Sequence, residues 1–232
     1  MLKKNPNIGV VIAFTIILGW AGLLFYLLFY FQINYYSPIT YLLFLLQTHL
    51  YTGLFITAHD SMHGIVSKNR HINEWIGRIC TTLFAFNFYS NLYKKHHLHH
   101  RFVATEKDPD YYKGNFWRWY LKFALEYVNF WQILMMAITY NLLKLYLPTE
   151  NLIVYWMLPS VVSTFQLFYF GTYLPHKGEH ALENIHKARS QSKNHLWAFV
   201  SCYFFGYHYE HHASPATPWW LLYRQKEERS NF

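Results

Sequence analysis

The sequence predicts an all-α integral membrane protein, a single domain over residues 1–232. It has about four transmembrane helices, additional interfacial helices and a histidine-rich site on the cytosolic face. Three observations carry this expectation. Apolar residues make up 53% of the chain and charged residues only 14%, against roughly 25% charged in soluble domains. The apolar residues come in long runs with few charges. The Lys and Arg residues, which give a formal net charge of +8, gather between those runs together with most of the histidines.

Residues 9–31 hold no charge, which is long enough for one helical crossing, since about 20 residues of helix span a bilayer core. The basic start and apolar run resemble a signal peptide. The run exceeds the usual h-region of about 7–15 residues and no small-residue cleavage site follows it, so a retained anchor is expected. After the connector QINYYSP, Pro38 stands where a helix can begin. Residues 38–58 form the second run, interrupted by Gln47 and His49, and pair with the first as an antiparallel hairpin. Residues 75–92 are short and polar-interrupted, and read as an interfacial or re-entrant helix. DPDYYKGN (108–115) reads as a loop. Residues 121–145 and 151–173 form the third and fourth spans, with a turn at Pro148 and Pro159 tolerated inside the last. The run 196–207 is short and partly embedded, and the tail from Arg224 is charged and solvent-facing.

The charges fix an orientation. Lys3 and Lys4 put the N-terminus in the cytosol, nine Lys and Arg lie between residues 59 and 118, and the two exterior connectors are nearly free of positive charge. Every histidine cluster lands on the same cytosolic side. A basic chain can bind nucleic acid, but no dense Lys/Arg block or zinc-finger spacing is present, and no nucleic-acid partner is expected. Cys80 and Cys202, far apart in apolar surroundings, read as buried free thiols rather than a disulfide framework.

The histidines fall into three clusters at helical spacings. His59 and His63 are four apart; His96, His99 and His100 share one helical face, with His97 pointing elsewhere; His208, His211 and His212 repeat that pattern. His176 follows the fourth span as a ninth. Imidazole suits iron and other borderline transition metals. Eight or nine imidazoles exceed what one ion binds, so two ions are expected, each keeping a position for oxygen. Asp60, inside the first cluster, is the candidate catalytic carboxylate. Asp60, Asp108 and Glu210 can also accept hydrogen bonds from ligand histidines. His71, His180, His186 and His195 read as loop or surface residues, and His49 sits in mid-span. Phe84, Phe86, Phe88, Tyr89, Phe165, Phe168, Tyr169 and Phe170 are candidate walls of an aromatic tunnel.

At its histidine clusters the chain resembles the membrane fatty acid desaturase and hydroxylase superfamily, typified by three histidine boxes that bind two irons. LYTGLFITAHDSMHG (50–64), KDPDYY (107–112), LFYFGTYLPH (167–176), FGYHYEHH (205–212) and PWW (218–220) resemble, more narrowly, the bacterial-type beta-carotene ketolases. The likeness covers roughly residues 40–222. The boxes alone identify the superfamily, and the FITAHD and FYFGTYLPH stretches point to the ketolase branch. The second histidine of HHLHH and the compact N-terminus depart from the pattern.

The resemblance implies that His59, His63, His96, His99, His100, His208, His211 and His212 hold two Fe2+ ions, with His176 as a further ligand. It implies oxidation of C4 of a carotenoid beta-ionone ring to a ketone, by two hydroxylations and a dehydration. Beta-carotene would become echinenone and canthaxanthin, and zeaxanthin would become astaxanthin. Molecular oxygen would be the co-substrate and reduced ferredoxin the electron donor, docked on the cytosolic face near Lys94, Lys95, Arg101 and Lys107. The chain would sit among lipids in a bacterial inner or cyanobacterial membrane. A carotenoid 3-hydroxylase or an acyl-lipid desaturase would share the same boxes. A transporter would instead place its ligands near the bilayer midplane.

Overall fold

The computed structural model describes residues 7–230. Lys3 and Lys4, on which the inside assignment of the N-terminus rests, lie outside the described residues. Helix α1 (Ile8–Phe29) buries Ala13, Ile16, Trp20, Leu24 and Leu27 along one stripe. Val11, Phe14, Leu18 and Phe25 on its other faces are exposed. Water would make that surface an aggregation site, whereas a bilayer solvates it. Pro38 opens α2 (Pro38–Met62) at its first turn, where the missing N–H costs nothing. The two helices run antiparallel, as expected: Gly9 abuts Val66, Gly19 abuts Leu50 and Gly53 abuts Ile16.

The predicted interfacial segment 75–92 is two helices rather than one. Helix α3 (Arg70–Leu83) is capped by Asn69, whose side chain accepts from the amides of His71 and Ile72. It ends at a turn in which Ala85 and Phe86 are both left-handed, φ 57° each. Helix α4 (Tyr89–Phe102) follows. The third predicted span, 121–145, is likewise broken. Helix α5 (Phe116–Tyr127) stops at extended Val128, and α6 (Phe130–Leu143) starts afresh because the Asn129 side chain accepts from the Gln132 amide. At 1.5 Å per residue, the 14 residues of α6 reach about 21 Å, short of a bilayer core of about 30 Å.

Helix α7 runs continuously over Thr149–His176 but contains two π turns, Leu152–Met157 and Phe168–Tyr173. Each ends two residues before a proline, Pro159 and Pro175. A proline ring clashes with the carbonyl four residues back. Those carbonyls belong to Tyr155 and Gly171, inside the two π turns, where a wider winding relieves the clash. Thus Pro159 is accommodated within the span, as the sequence suggested. The chain closes with α8 (His195–Cys202), α9 (His208–Ala213), a 3-10 turn (Trp219–Leu221) and α10 (Leu222–Ser230).

Among the described residues three helices, α1, α2 and α7, are long and apolar enough to cross a membrane. Polar side chains tie them together. Asn151 donates to the carbonyls of Leu27 and Phe31 at 2.6 and 2.8 Å, fixing the start of α7 to the end of α1. Tyr51 donates to the Trp156 carbonyl at 2.9 Å, and Thr52 meets Ser163 at 2.8 Å. The far ends of α2 and α7, with His59 and His176, therefore emerge together. Cys80 and Cys202 are both free and fully buried, as expected. Burial pushes the Cys80 thiol up to about 12, so it stays protonated and inert.

Candidate metal centre

The three clusters and His176 converge, and they divide into two groups. His59, His63, His96, His100 and His211 form one; His99, His176, His208 and His212 form the other. Within each group the ligand nitrogens lie within 4.8 Å of one another. All nine candidate ligands are thus brought together. His97 is not among them: its Nδ1 lies 2.9 Å from the Tyr93 carbonyl and its ring stacks on Tyr93 at 4.2 Å.

Each element delivers its histidines by a local device. On α2 and α4 the three- and four-residue spacings put the imidazoles on one face. The left-handed pair Ala85–Phe86 reverses the chain just before α4, and a second left-handed pair, Tyr203–Phe204 (φ 48° and 61°), does so just before α9. Such residues cost on the order of 1–2 kcal/mol each and cluster where packing over-determines the backbone. The second π turn of α7 sets the direction of His176. Wound as α-helix, the same residues would carry it about 100° around the axis.

The donor set fits two metal ions. A metal–imidazole bond of about 2.1 Å sets neighbouring ligand nitrogens about 3 Å apart at right angles. Nε2 of His96 lies 2.7 Å from Nε2 of His63, and Nε2 of His100 lies 3.0 Å from that of His211. In the second group His212 Nε2 lies 3.2 Å from His99 Nε2 and 3.0 Å from His208 Nε2. Nε2 of His59 and of His176 is buried with no hydrogen-bond partner among the described residues.

The opposite ring nitrogens are held from behind. Both carboxylate oxygens of Asp108 lie 3.0 Å from His99 Nδ1, and His176 Nδ1 lies 2.7 Å from the Lys187 carbonyl. Such contacts fix the tautomer and aim the other nitrogen at a metal. Burial holds His96, His208, His211 and His212 well below the usual imidazole range, His63 at about 4 and His100 at about 2, with neighbouring imidazoles adding to it. Ligand imidazoles must be neutral. At His99 burial acts the same way, but the bond to Asp108 and the charge of Asp110 outweigh it and raise the value.

Of the three carboxylates named from sequence, Asp108 contacts a candidate ligand most directly. Asp60 is 2% exposed, its Oδ1 3.4 Å from His59 Nδ1 and its Oδ2 accepting from the Trp219 amide at 2.9 Å. That bond ties the PWW stretch to the first box. Glu210 instead accepts from the Ser190 hydroxyl and pairs with Lys226 at 3.3 Å. Sequence reasoning missed Asp110, which takes the Tyr127 hydroxyl and lies 3.8 Å from His99 Nδ1. The two-residue spacing of KDPD was its only signal. Burial raises Asp110 to about 6.

An inner chamber opens beside the histidines, lined by His59, His96, His99 and His208 together with Phe55, Met62, Phe84, Phe205 and other mostly apolar side chains. Phe84, Asn87, Tyr127 and Thr164 line both this chamber and an outer passage between α6 and α7. The predicted aromatic walls need correction. Only Phe84 of the eight lines this route. Tyr89 faces a polar cleft beside His63; Phe165, Tyr169 and Phe170 border a separate groove with His49; Phe168 is buried against Phe123. Phe55, four residues before His59, and Met62, three after, were legible as the same helical face. His49 stacks on Tyr203 at 4.2 Å, outside both histidine groups.

Comparison with known proteins agrees with the histidine pattern. The fatty acid desaturase family model matches residues 36–146 and 127–230. A protein of Haematococcus lacustris described as beta-carotene 4-ketolase 3 is 40% identical over 190 residues, 77% of this chain and 59% of its own length. The zeaxanthin 4-ketolase of Chlamydomonas reinhardtii is 36% identical over 232 residues, 92% of this chain and 52% of its own. A beta-carotene ketolase of Paracoccus sp. (strain N81106 / MBIC 01143) is 35% identical over 218 residues, covering 92% of this chain and 90% of its own. The chain therefore spans little more than half the length of the two algal relatives. No solved structure matches it.

Proposed function

The chain belongs to the fatty acid desaturase family, alongside its beta-carotene ketolases, and on that premise we propose that it is a di-iron oxygenase converting C4 of carotenoid beta-ionone rings to a ketone. The observation that carries this reading is the pairing of a five-histidine and a four-histidine group with a chamber that continues into a passage between α6 and α7. Two iron ions held there, given electrons, would supply oxygen activation strong enough to attack an allylic C–H bond. The protein's part is placement. His59, His63, His96, His100 and His211 hold one ion and His99, His176, His208 and His212 the other. Asp108 and the Lys187 carbonyl fix ligand tautomers in the second group.

Asp60, sitting behind His59, is proposed as a positioning residue rather than a reacting one. Phe55, Met62, Phe84 and Phe205 exclude water and give a hydrocarbon ring an apolar seat beside the histidines. The allylic C4 hydrogen is the weakest on that ring, so holding the ring edge toward the histidines selects it. A second oxidation at the same carbon gives a geminal diol, which loses water to the ketone.

The α5–α6 pair is proposed as the fourth membrane crossing, made in two pieces. It leaves the histidine end, where Lys122 donates to the carbonyls of Pro109 and Tyr111. It returns the chain to the opposite end, where α7 is tied to α1. A ferredoxin-type donor is proposed to dock on the cytosolic face, where Lys94, Arg101 and Lys107 are exposed. Lys95 is half-buried and engaged with Glu126 at 2.9 Å, which removes it from that set.

Pigment analysis of a beta-carotene-producing bacterium expressing the chain tests the reading. Echinenone and canthaxanthin are expected, and both should vanish on His99→Ala. Rings hydroxylated at C3, without ketones, would assign the carotenoid 3-hydroxylase reaction instead. Unchanged beta-carotene with a new double bond in acyl lipids would overturn the ketolase assignment.

A further inference from the structure

Two amide oxygens on the wall of the route to the histidines have no partner among the described residues. Asn87 lines both the inner chamber and the outer passage, and Gln132 lines the passage. Each is 9% exposed. Asn87 Oδ1 and Gln132 Oε1 are buried with no hydrogen-bond partner among the described residues. Several other polar groups along the route bond within the protein. Thr164 donates to the Ser160 carbonyl at 2.9 Å, Ser160 to Met157 at 2.7 Å, Asn141 to Ala137 at 2.8 Å, and Tyr127 to Asp110. Gln47 in α2 also has unpartnered amide atoms, but it lines neither space.

A buried amide without a partner is unfavourable, and apolar side chains of the same size would fill the wall without that cost. Two of them along one apolar route therefore point to a ligand that brings its own polar group. That ligand must be hydrocarbon elsewhere, because the remaining lining is mostly apolar. A charged group would lose its hydration there at great cost. A hydroxyl loses little, and being both donor and acceptor it satisfies an amide in either orientation.

We propose that Asn87 and Gln132 are specificity-determining residues that bind a hydroxyl on the carotenoid ring being oxidised. The inference rests on the carotenoid reading of the cavity. The hydroxyl has two possible sources: one already on the ring beside C4, or the alcohol left at C4 after the first oxidation.

The test uses full-length protein in membranes, supplied with reductant, oxygen and either zeaxanthin or beta-carotene, comparing the wild type with Asn87→Leu and Gln132→Met. The expected result is a fall of up to roughly tenfold in the zeaxanthin to beta-carotene ratio of kcat/KM in at least one variant, the size expected for the loss of one neutral hydrogen bond. If the hydroxyl served is instead the one made at C4, the ratio holds and the variants release 4-hydroxylated intermediate from beta-carotene. Either result supports hydroxyl binding. Equal changes on both substrates with no released alcohol, or no change at all, would overturn it. Should Asn87→Leu fail to fold, Gln132→Met carries the same comparison. A wild type that oxidises neither carotenoid would remove the cavity reading itself.

Discussion

Replacing Asp108 by Asn tests whether the second histidine group is held from behind by a carboxylate. Asp108 is 1% exposed. Its two oxygens both lie 3.0 Å from His99 Nδ1 and also accept the amides of Ala104 and Asp110 at 2.9 Å each. Asparagine keeps the shape and one acceptor but turns an NH2 toward either the imidazole N–H or a backbone N–H. A hydrogen bond to a charged group contributes about 1.5–3 kcal/mol and a neutral one about 0.5–1.5. The loss at His99 is then about 1 kcal/mol or somewhat more, about tenfold in an equilibrium constant, before the misplaced NH2 is counted. Metal-supporting contacts of this kind typically cost 10–100-fold on mutation. Asp108→Asn should therefore give up one of two irons at a chelator concentration at least tenfold lower than wild type, with a matching fall in ketone yield. Iron per chain, measured by mass spectrometry after dialysis against graded chelator, reads this directly. A variant that holds both irons across the wild-type range, with unchanged product, would refute the account of His99.

Three further outcomes follow from the same geometry. His176→Ala should abolish ketone formation and leave about one iron per chain, because it removes one of four ligands. His97→Ala should stay within about twofold of wild type in pigment yield, because His97 is occupied by Tyr93. Gly171→Ala would place a methyl 2.2 Å from Phe205 Cε1, and Phe205 packs against His59 and His208 at ring distances of 4.9 and 5.1 Å. Overpacking of this kind costs about 1–3 kcal/mol, so a lower thermal midpoint in detergent and reduced iron are expected. An unchanged midpoint would mean the π turn gives way freely.

What was legible in the sequence followed from periodicity. The uncharged run of α1 and the three- and four-residue histidine spacings are local properties, and they survive any tertiary arrangement. The break at Val128–Asn129 also had a local sign, since asparagine in the midst of YVNFW competes with the helix for backbone amides. Reading 121–145 as one helix gave apolar character too much weight over capping. The π turns had a sign as well, in Pro159 and Pro175. The division of nine imidazoles into five and four had none, because His99 and His100 are adjacent in sequence and serve different groups. The aromatic candidates missed the chamber for another reason: aromatic density marks apolar surface generally, whereas the chamber is lined by residues that several separate elements bring beside the histidines.

The unevenness of the supports has a physical logic. His59 and His176 end the long helices α2 and α7, which packing in the spanning bundle holds in place. Their Nε2 atoms are buried without partners among the described residues, an arrangement that costs about 1–3 kcal/mol for each such atom and that only a rigid scaffold can impose. The remaining ligands ride on the short helices α4 and α9 or, for His63, on the residue just beyond α2. Neither short helix has enough turns to be stable in isolation. Each is entered through a left-handed pair and braced by charges from outside the long helices: Asp108 behind α4, and Lys226 on Glu210 in α9. On the proposed di-iron reading, metal binding would repay the unpaired nitrogens, and its free energy would also be folding free energy for the short helices. In that reading the long helices would set where the ions go, while Asp108 and Lys226 would set how tightly the short helices close on them.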